Sequence, residues 1–204
     1  DSENSDLCAA YTADGGFSWV DVELTNHFSS PLITCNAPLE VNGRYLLPVH
    51  RNTMREDPNG DGRQFILEST DLISWRLAGY VLFDESDPVF LHEASLAGTA
   101  DGGLAIVMRT ATYGHKNYDS LPNERAYRSV SSDGGRTWSA AKPVPEFHNT
   151  GCKAHYLVDS KGREVYVYSP GPRRERKALH YVARETGGEW SKPKVFYDGK
   201  NHNS

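Results

Sequence analysis

Long apolar runs are missing from this chain, and so is any stretch with apolar residues recurring at i, i+3, i+4 and i+7. The first absence leaves nothing near the roughly 18 residues of a membrane-spanning helix. The second leaves no amphipathic helix around which a helical domain could be built. Positive charge is not in excess: 22 Lys and Arg stand against 27 Asp and Glu, a formal net charge of −5, which argues against a nucleic-acid partner. Cysteine is scarce. Cys8, Cys35 and Cys152 are too few and too widely spaced for a disulfide framework or a zinc site, and they read as buried thiols, a single bridge with one free thiol being the alternative. No Asn-x-Ser/Thr acceptor occurs, and the polar start Asp1-Ser2-Glu3-Asn4-Ser5-Asp6 is not a signal peptide.

What the 204 residues do contain is aromatics (11 Tyr, 4 Trp) and frequent Gly and Pro, the composition of many short strands joined by tight turns. One stretch stands out, Ser131-Ser132-Asp133-Gly134-Gly135-Arg136-Thr137-Trp138, of the form S-x-D-x-G-x-T-W. The glycines permit positive φ, Asp133 can close the turn on nearby backbone N–H groups, and Trp138 supplies a large apolar anchor. This stretch resembles the Asp box of sialidases and related β-propellers. It recurs in altered form as Thr12-Ala13-Asp14-Gly15-Gly16-Phe17-Ser18-Trp19, as the shorter Ser69-Thr70-Asp71-Leu72-Ile73-Ser74-Trp75, and as Thr186-Gly187-Gly188-Glu189-Trp190, which has no Asp.

Trp19, Trp75, Trp138 and Trp190 therefore mark one point of a repeat of roughly 50–60 residues. Strand-like runs fall around each mark, at 7–11, 20–24, 32–41, 45–49, 64–68, 77–83, 93–98, 104–109, 126–130, 154–158, 164–169 and 178–183, with a hairpin signal at Asn42-Gly43. Four strands and one anchored turn per repeat predict an all-β chain, a β-propeller of four-stranded antiparallel blades. The expected blades are 1–30 (partial), 31–84, 85–147 and 148–199, with residues 200–204 starting another. A six-bladed parent of this repeat length needs roughly 330 residues. The expectation is an incomplete propeller, finished by the rest of a longer chain or by a second chain.

Polar residues then fall where the repeat puts the central channel. Glu93 begins an inner strand and Arg109 ends the next one, where they either form a structural ion pair or face a polar substrate; His50 and Arg51 hold the place of Arg109 in the preceding unit. The order of Glu93, Asp101-Gly102, Arg109, Arg128 with the 131–138 stretch, Cys152, and Arg176-Lys177-Ala178-Leu179 resembles that of the sialidase superfamily over most of residues 30–204. The resemblance implies an exo-acting glycoside hydrolase that releases a terminal acidic sugar, sialic acid, from glycoconjugates. By position, Glu93 is similar to the glutamate that takes the proton of a tyrosine nucleophile, and Arg109 and Arg176 to two of three arginines that clamp the substrate carboxylate. The family's remaining arginine and its acid/base aspartate would precede residue 1, and the tyrosine would follow residue 204. Secretion or periplasmic export is implied by the resemblance alone.

His50 and Arg51 are expected to bind substrate, with a hairpin end as the plainer alternative. His92 and His155 read as structural, and the 110–124 loop, which holds Tyr113 and His115, as a shaper of the pocket. Asp57, Asn59, Asp61 and Glu68 have the spacing of a calcium loop, but strands rather than helices flank it. A polar hairpin loop is expected there, calcium at Asp57, Asn59 and Asp61 is the alternative, and no other cofactor is called for. Two further functions stay open at this point: hydrolysis or lyase chemistry on a uronate- or rhamnose-containing glycan, and glycan or protein binding without catalysis.

Overall fold

A computed structural model describes residues 7–24, 32–51, 64–82, 89–112, 125–149, 151–170 and 178–200. Among them there is no helix; every regular element is a strand in an antiparallel sheet. Strands β1 (Ala9–Tyr11) and β2 (Val20–Val22) form a two-stranded ribbon. The second sheet holds β3 (Leu32–Thr34), β4 (Leu39–Val41), β5 (Arg44–Arg51), β6 (Gln64–Ser69) and β7 (Arg76–Tyr80), in the order β3-β5-β6-β7 with β4 also on β5. The third is β8 (Val89–Gly98), β9 (Leu104–Thr112), β10 (Arg125–Ser131) and β11 (Lys142–His148), in sequence order across the sheet. The fourth is β12 (His155–Val158), β13 (Glu164–Tyr168), β14 (Leu179–Arg184) and β15 (Lys194–Tyr197), again in sequence order. The third and fourth sheets, and the second along its path β3-β5-β6-β7, are four-stranded antiparallel propeller blades.

The sheets stack face to face because successive side chains of a strand point to opposite faces. On β9, Leu104, Ile106 and Met108 join Leu46, Ile66 and Val81 of the second sheet in one core. The alternate residues Ala105 and Val107 join Phe147, Tyr156, Tyr166 and Val182 in the core shared with the fourth sheet. A third cluster places Leu32, Leu47, Val49, Leu67 and Trp75 against Leu7 and Leu24. A central strand buried on both faces is apolar at nearly every position, which is why 104–108 reads Leu-Ala-Ile-Val-Met.

Three departures from the sequence expectations have local causes. The run at 32–41 is two strands, because Cys35-Asn36-Ala37-Pro38 interrupts it, Pro38 has no N–H for the ladder, and the Thr34 hydroxyl donates to Pro48 O at 3.1 Å. The outermost strands β11 and β15 were not among the predicted runs: β11 carries Pro143 and Pro145, which an edge strand tolerates, and β15 is exposed at all its residues. The cysteines are free, but only Cys152 is buried; Cys35 is half-buried and Cys8, next to the short ribbon, is exposed.

The turn at 131–138 is built as its residues require. Ser131 Oγ accepts the Gly135 N–H at 2.9 Å, Asp133 Oδ1 accepts those of Arg136 (3.0 Å) and Thr137 (2.9 Å), and the Thr137 hydroxyl donates to Asp133 Oδ2 at 2.6 Å. Trp138 is buried under the turn and donates its indole N–H to Gly135 O at 3.1 Å. The hydroxyl and carboxylate bonds recur around Asp14 and Asp71; Trp75 is likewise buried with its indole N–H on Leu72 O, whereas Trp19 is exposed. The third-sheet turn also fastens to the second sheet: Arg44 donates to Gly134 O at 2.7 Å while ion-pairing with Glu68. Glu68 is held by Arg44 and Arg76 and serves the fold; Asp57, Asn59 and Asp61 lie outside the described residues.

Candidate active site

Glu93 does not start its strand but interrupts it. On β8, His92 stands opposite Arg109 and Ser95 opposite Val107, so Glu93 and Ala94 together face the single residue Met108. This β-bulge holds Glu93 at φ 39°, in the left-handed region that side chains with a Cβ avoid. The bulge turns the carboxylate toward Arg109 of β9. Glu93 Oε2 lies 2.8 Å from Arg109 Nη1, with side-chain exposures of 26% and 11%. The contact is close enough for an ion pair, yet its N–H direction misses the oxygen. Glu93 Oε2 and Arg109 Nε are left without hydrogen-bond partners.

His50 and His92 line the wall beside this pair. Their rings stack at 4.7 Å between centroids and 21° between planes, joining β5 of the second sheet to β8 of the third. Both are buried. Burial pushes the His50 pKa down to about 4, Arg109 adding to the effect and Glu93 opposing it. Burial, then the neighbouring His50 and Arg109, pushes His92 to about 3. At neutral pH the two imidazoles are therefore uncharged, and neither is the cation that clamps a carboxylate.

The fourth sheet closes the other side. Ser95 Oγ donates to Ala154 O at 3.4 Å and meets His155 Nδ1 at 3.5 Å. Lys153 donates from Nζ to the carbonyl of Cys35, which follows β3. Burial raises the half-buried Cys35 thiol, and its next largest influences are the charges of Glu93, Lys153 and Arg109. Three sheets thus contribute Cys35, His50, His92, Glu93, Arg109 and Lys153 to one neighbourhood.

Of the residues singled out in the sequence, the structure brings Glu93, Arg109 and His50 together. Arg51 ends β5 opposite Leu32, and its side chain lies outside the described residues, as do Arg176, Tyr113 and His115. Lys153 was not singled out: it stands alone between Cys152 and Ala154, and its contact is with a residue 118 positions away. His92, read as structural, is buried in the stack, as that reading requires. Among the described residues, no group of three or more His, Cys, Asp or Glu could hold a metal ion.

Comparison with solved structures places this fold in a known architecture. A protein of unknown function from Dyadobacter fermentans superposes with a TM-score of 0.66 at 21% identity, covering 89% of this chain and 48% of that one. The intramolecular trans-sialidase of Ruminococcus gnavus gives 0.57 at 21% identity, covering 93% and 39%. An α-L-arabinanase of Penicillium chrysogenum gives 0.61 at 11% identity, covering 96% and 56%. This chain thus spans about half or less of the length of the first two, and at these identities the likeness is one of fold. No curated protein matches it by sequence. The model of the BNR repeat-like domain matches residues 12–204, and with the blades described above it shows the chain to be part of a β-propeller belonging to the BNR repeat-like family.

Proposed function

We propose that the protein is a glycoside hydrolase of the sialidase type, releasing a terminal acidic sugar from a glycan. The observation that carries this reading is the bulge at Glu93, which holds a glutamate in a strained backbone conformation to present its carboxylate beside Arg109. Strain of this kind, costing about 1–3 kcal/mol, persists where the surroundings impose it and gathers at functional sites. In this reading Glu93 is the general base toward a tyrosine phenol. A phenol suits a carboxylate substrate, because a carboxylate nucleophile would repel it. In the same reading Arg109 binds the sugar carboxylate, a group that a guanidinium can hold through two parallel bonds. His50 and His92 supply a neutral, close-packed wall, and Arg51 and Arg176 complete the binding of the anion. The turns at 12–19, 69–75 and 131–138 are Asp boxes that serve the fold.

The test is turnover of a fluorogenic α-sialoside by the full-length parent, with arabinoside and galactoside substrates beside it. Glu93→Gln is expected to lower kcat by about 10²–10⁴-fold, the usual worth of a general base. Arg109→Ala is expected chiefly to raise KM for the acidic substrate. Cleavage of the neutral sugars alone, or full activity of Glu93→Gln, would overturn the reading.

A further inference from the structure

We propose that Lys153 is the specificity-determining cation of this site, placed to bind the anionic group of an acidic sugar alongside Arg109. The inference rests on the reading of the Glu93–Arg109 neighbourhood as a glycosidase site, and it names the residue that selects the substrate's charge.

The local charge is the first argument. Arg109 is matched by Glu93 at 2.8 Å, so that pair sums to zero. His50 and His92 are buried and stacked, and carry no charge at neutral pH. Lys153 has no carboxylate within ion-pair distance among the described residues. Among the described residues of the neighbourhood, the surplus positive charge therefore sits on Lys153, which adds to whatever Arg51 and Arg176 supply. An anionic sugar gains from such a cation once Arg109 is shared with Glu93, and a neutral sugar does not.

Position and donor capacity are the second. The Lys153 ammonium has three N–H donors, and the Cys35 carbonyl takes one. Lys153 is exposed, so the remaining donors are open to a ligand. The backbone that carries it is tied to β8 by the bonds from Ser95 Oγ to Ala154 O (3.4 Å) and His155 Nδ1 (3.5 Å), two residues beyond Glu93. The Lys153 ammonium is fixed at the Cys35 carbonyl, on the segment that follows β3. Lys153 thus bridges from the fourth sheet to the second, across the strand that bears the glutamate.

The experiment compares the full-length parent with Lys153→Ala, Lys153→Gln and Lys153→Arg on a fluorogenic α-sialoside and on its carboxylate methyl ester, which removes the charge and little else. The expected result is a KM for the acid raised about tenfold by Lys153→Ala and Lys153→Gln, the worth of one charged contact. The KM for the ester and kcat should stay near the parent values, and Lys153→Arg should restore the acid KM. Equal losses on acid and ester, or no change on the acid, would overturn the proposal. Thermal melts check that each variant folds; Lys153 is exposed, so little change in Tm is expected. If the parent turns over neither substrate, the glycosidase reading fails on its own. The proposal is then decided by saturation-transfer NMR with N-acetylneuraminic acid, glucuronic acid and galactose. Loss of acid-sugar signal alone in Lys153→Ala sustains it, and identical spectra for parent and variant overturn it.

Discussion

Arg128 on β10 and Glu164 on β13 meet between the third and fourth sheets, Nη2 to Oε2 at 3.2 Å. Arg184 of β14 closes on the same carboxylate at 2.9 Å, and the Tyr156 hydroxyl donates to it at 2.6 Å. Burial, with Glu164 beside it, pushes the Tyr156 phenol well above its ordinary pKa, so it remains a donor at any working pH. Glu164 itself is 4% exposed and accepts from both guanidinium groups of this network.

Removing that carboxylate should therefore cost far more than removing one of its partners. Glu164→Ala leaves two part-buried arginines uncompensated and is expected to destabilise the fold by about 3–5 kcal/mol. Arg128→Ala, one-fifth exposed, leaves Glu164 still held by Arg184 and Tyr156 and should cost less. Urea denaturation measures both. An unchanged midpoint for Glu164→Ala would mean that the network contributes nothing to holding the sheets together.

The turn at 69–75 contains a flaw that can be repaired. Leu72 occupies the place that Gly135 holds in the 131–138 turn: each sends its N–H to the opening serine and accepts the tryptophan indole N–H at 3.1 Å. Leu72 has φ 64° and Gly135 φ 85°. A residue with a Cβ in this region costs about 1–2 kcal/mol, which glycine's extra freedom in the unfolded chain partly offsets. Leu72→Gly is expected to raise stability by about 0.5–1 kcal/mol. Gly135→Ala should do the reverse with a larger effect, because the added Cβ would lie 2.7 Å from Leu46 Cδ1. Thermal melts with opposite signs for the two variants are the expected outcome; a lower Tm for Leu72→Gly would show that the leucine's packing outweighs its strain.

Much of this architecture was legible because it is local. Ser131, Asp133, Gly135 and Trp138 bond to one another within eight positions, so the spacing alone announces the turn and its flanking strands. The alternation of Leu104, Ile106 and Met108 with Ala105 and Val107 likewise carries both core faces. What was hidden depends on distant partners. Nothing in Leu91-His92-Glu93-Ala94-Ser95 signals a bulge, since no glycine marks the positive φ, and β11 hides behind Pro143 and Pro145. The placing of Lys153 beside Cys35 and of His50 on His92 arises only when separate sheets come together.

The titrating groups predict two losses of stability in acid. His50 and His92 have folded pKa values lowered from 6.5 to about 4 and about 3. Between those values and 6.5 the unfolded chain binds protons that the folded chain refuses. The folded state is thus fully favoured above pH 6.5 and loses stability as pH falls below it, by a few kcal/mol for the pair. The turn aspartates act lower down. Hydrogen bonds from Ser74 and Ile73 hold Asp71 at about 2 against an ordinary 3.8, and Asp14 and Asp133 are held lower still by Ser18 and Thr137. A depressed carboxylate contributes stability above its unfolded pKa and loses it as pH falls through the folded value, here from about pH 4 downward. Stability followed by urea denaturation should decline in one limb from pH 6.5 to about 3, overlapped by a second that begins near pH 4. His50→Gln is expected to flatten only the upper limb and Asp133→Asn only the lower. An upper limb unaffected by His50→Gln would show that the stacked imidazoles are not what the folded chain keeps neutral.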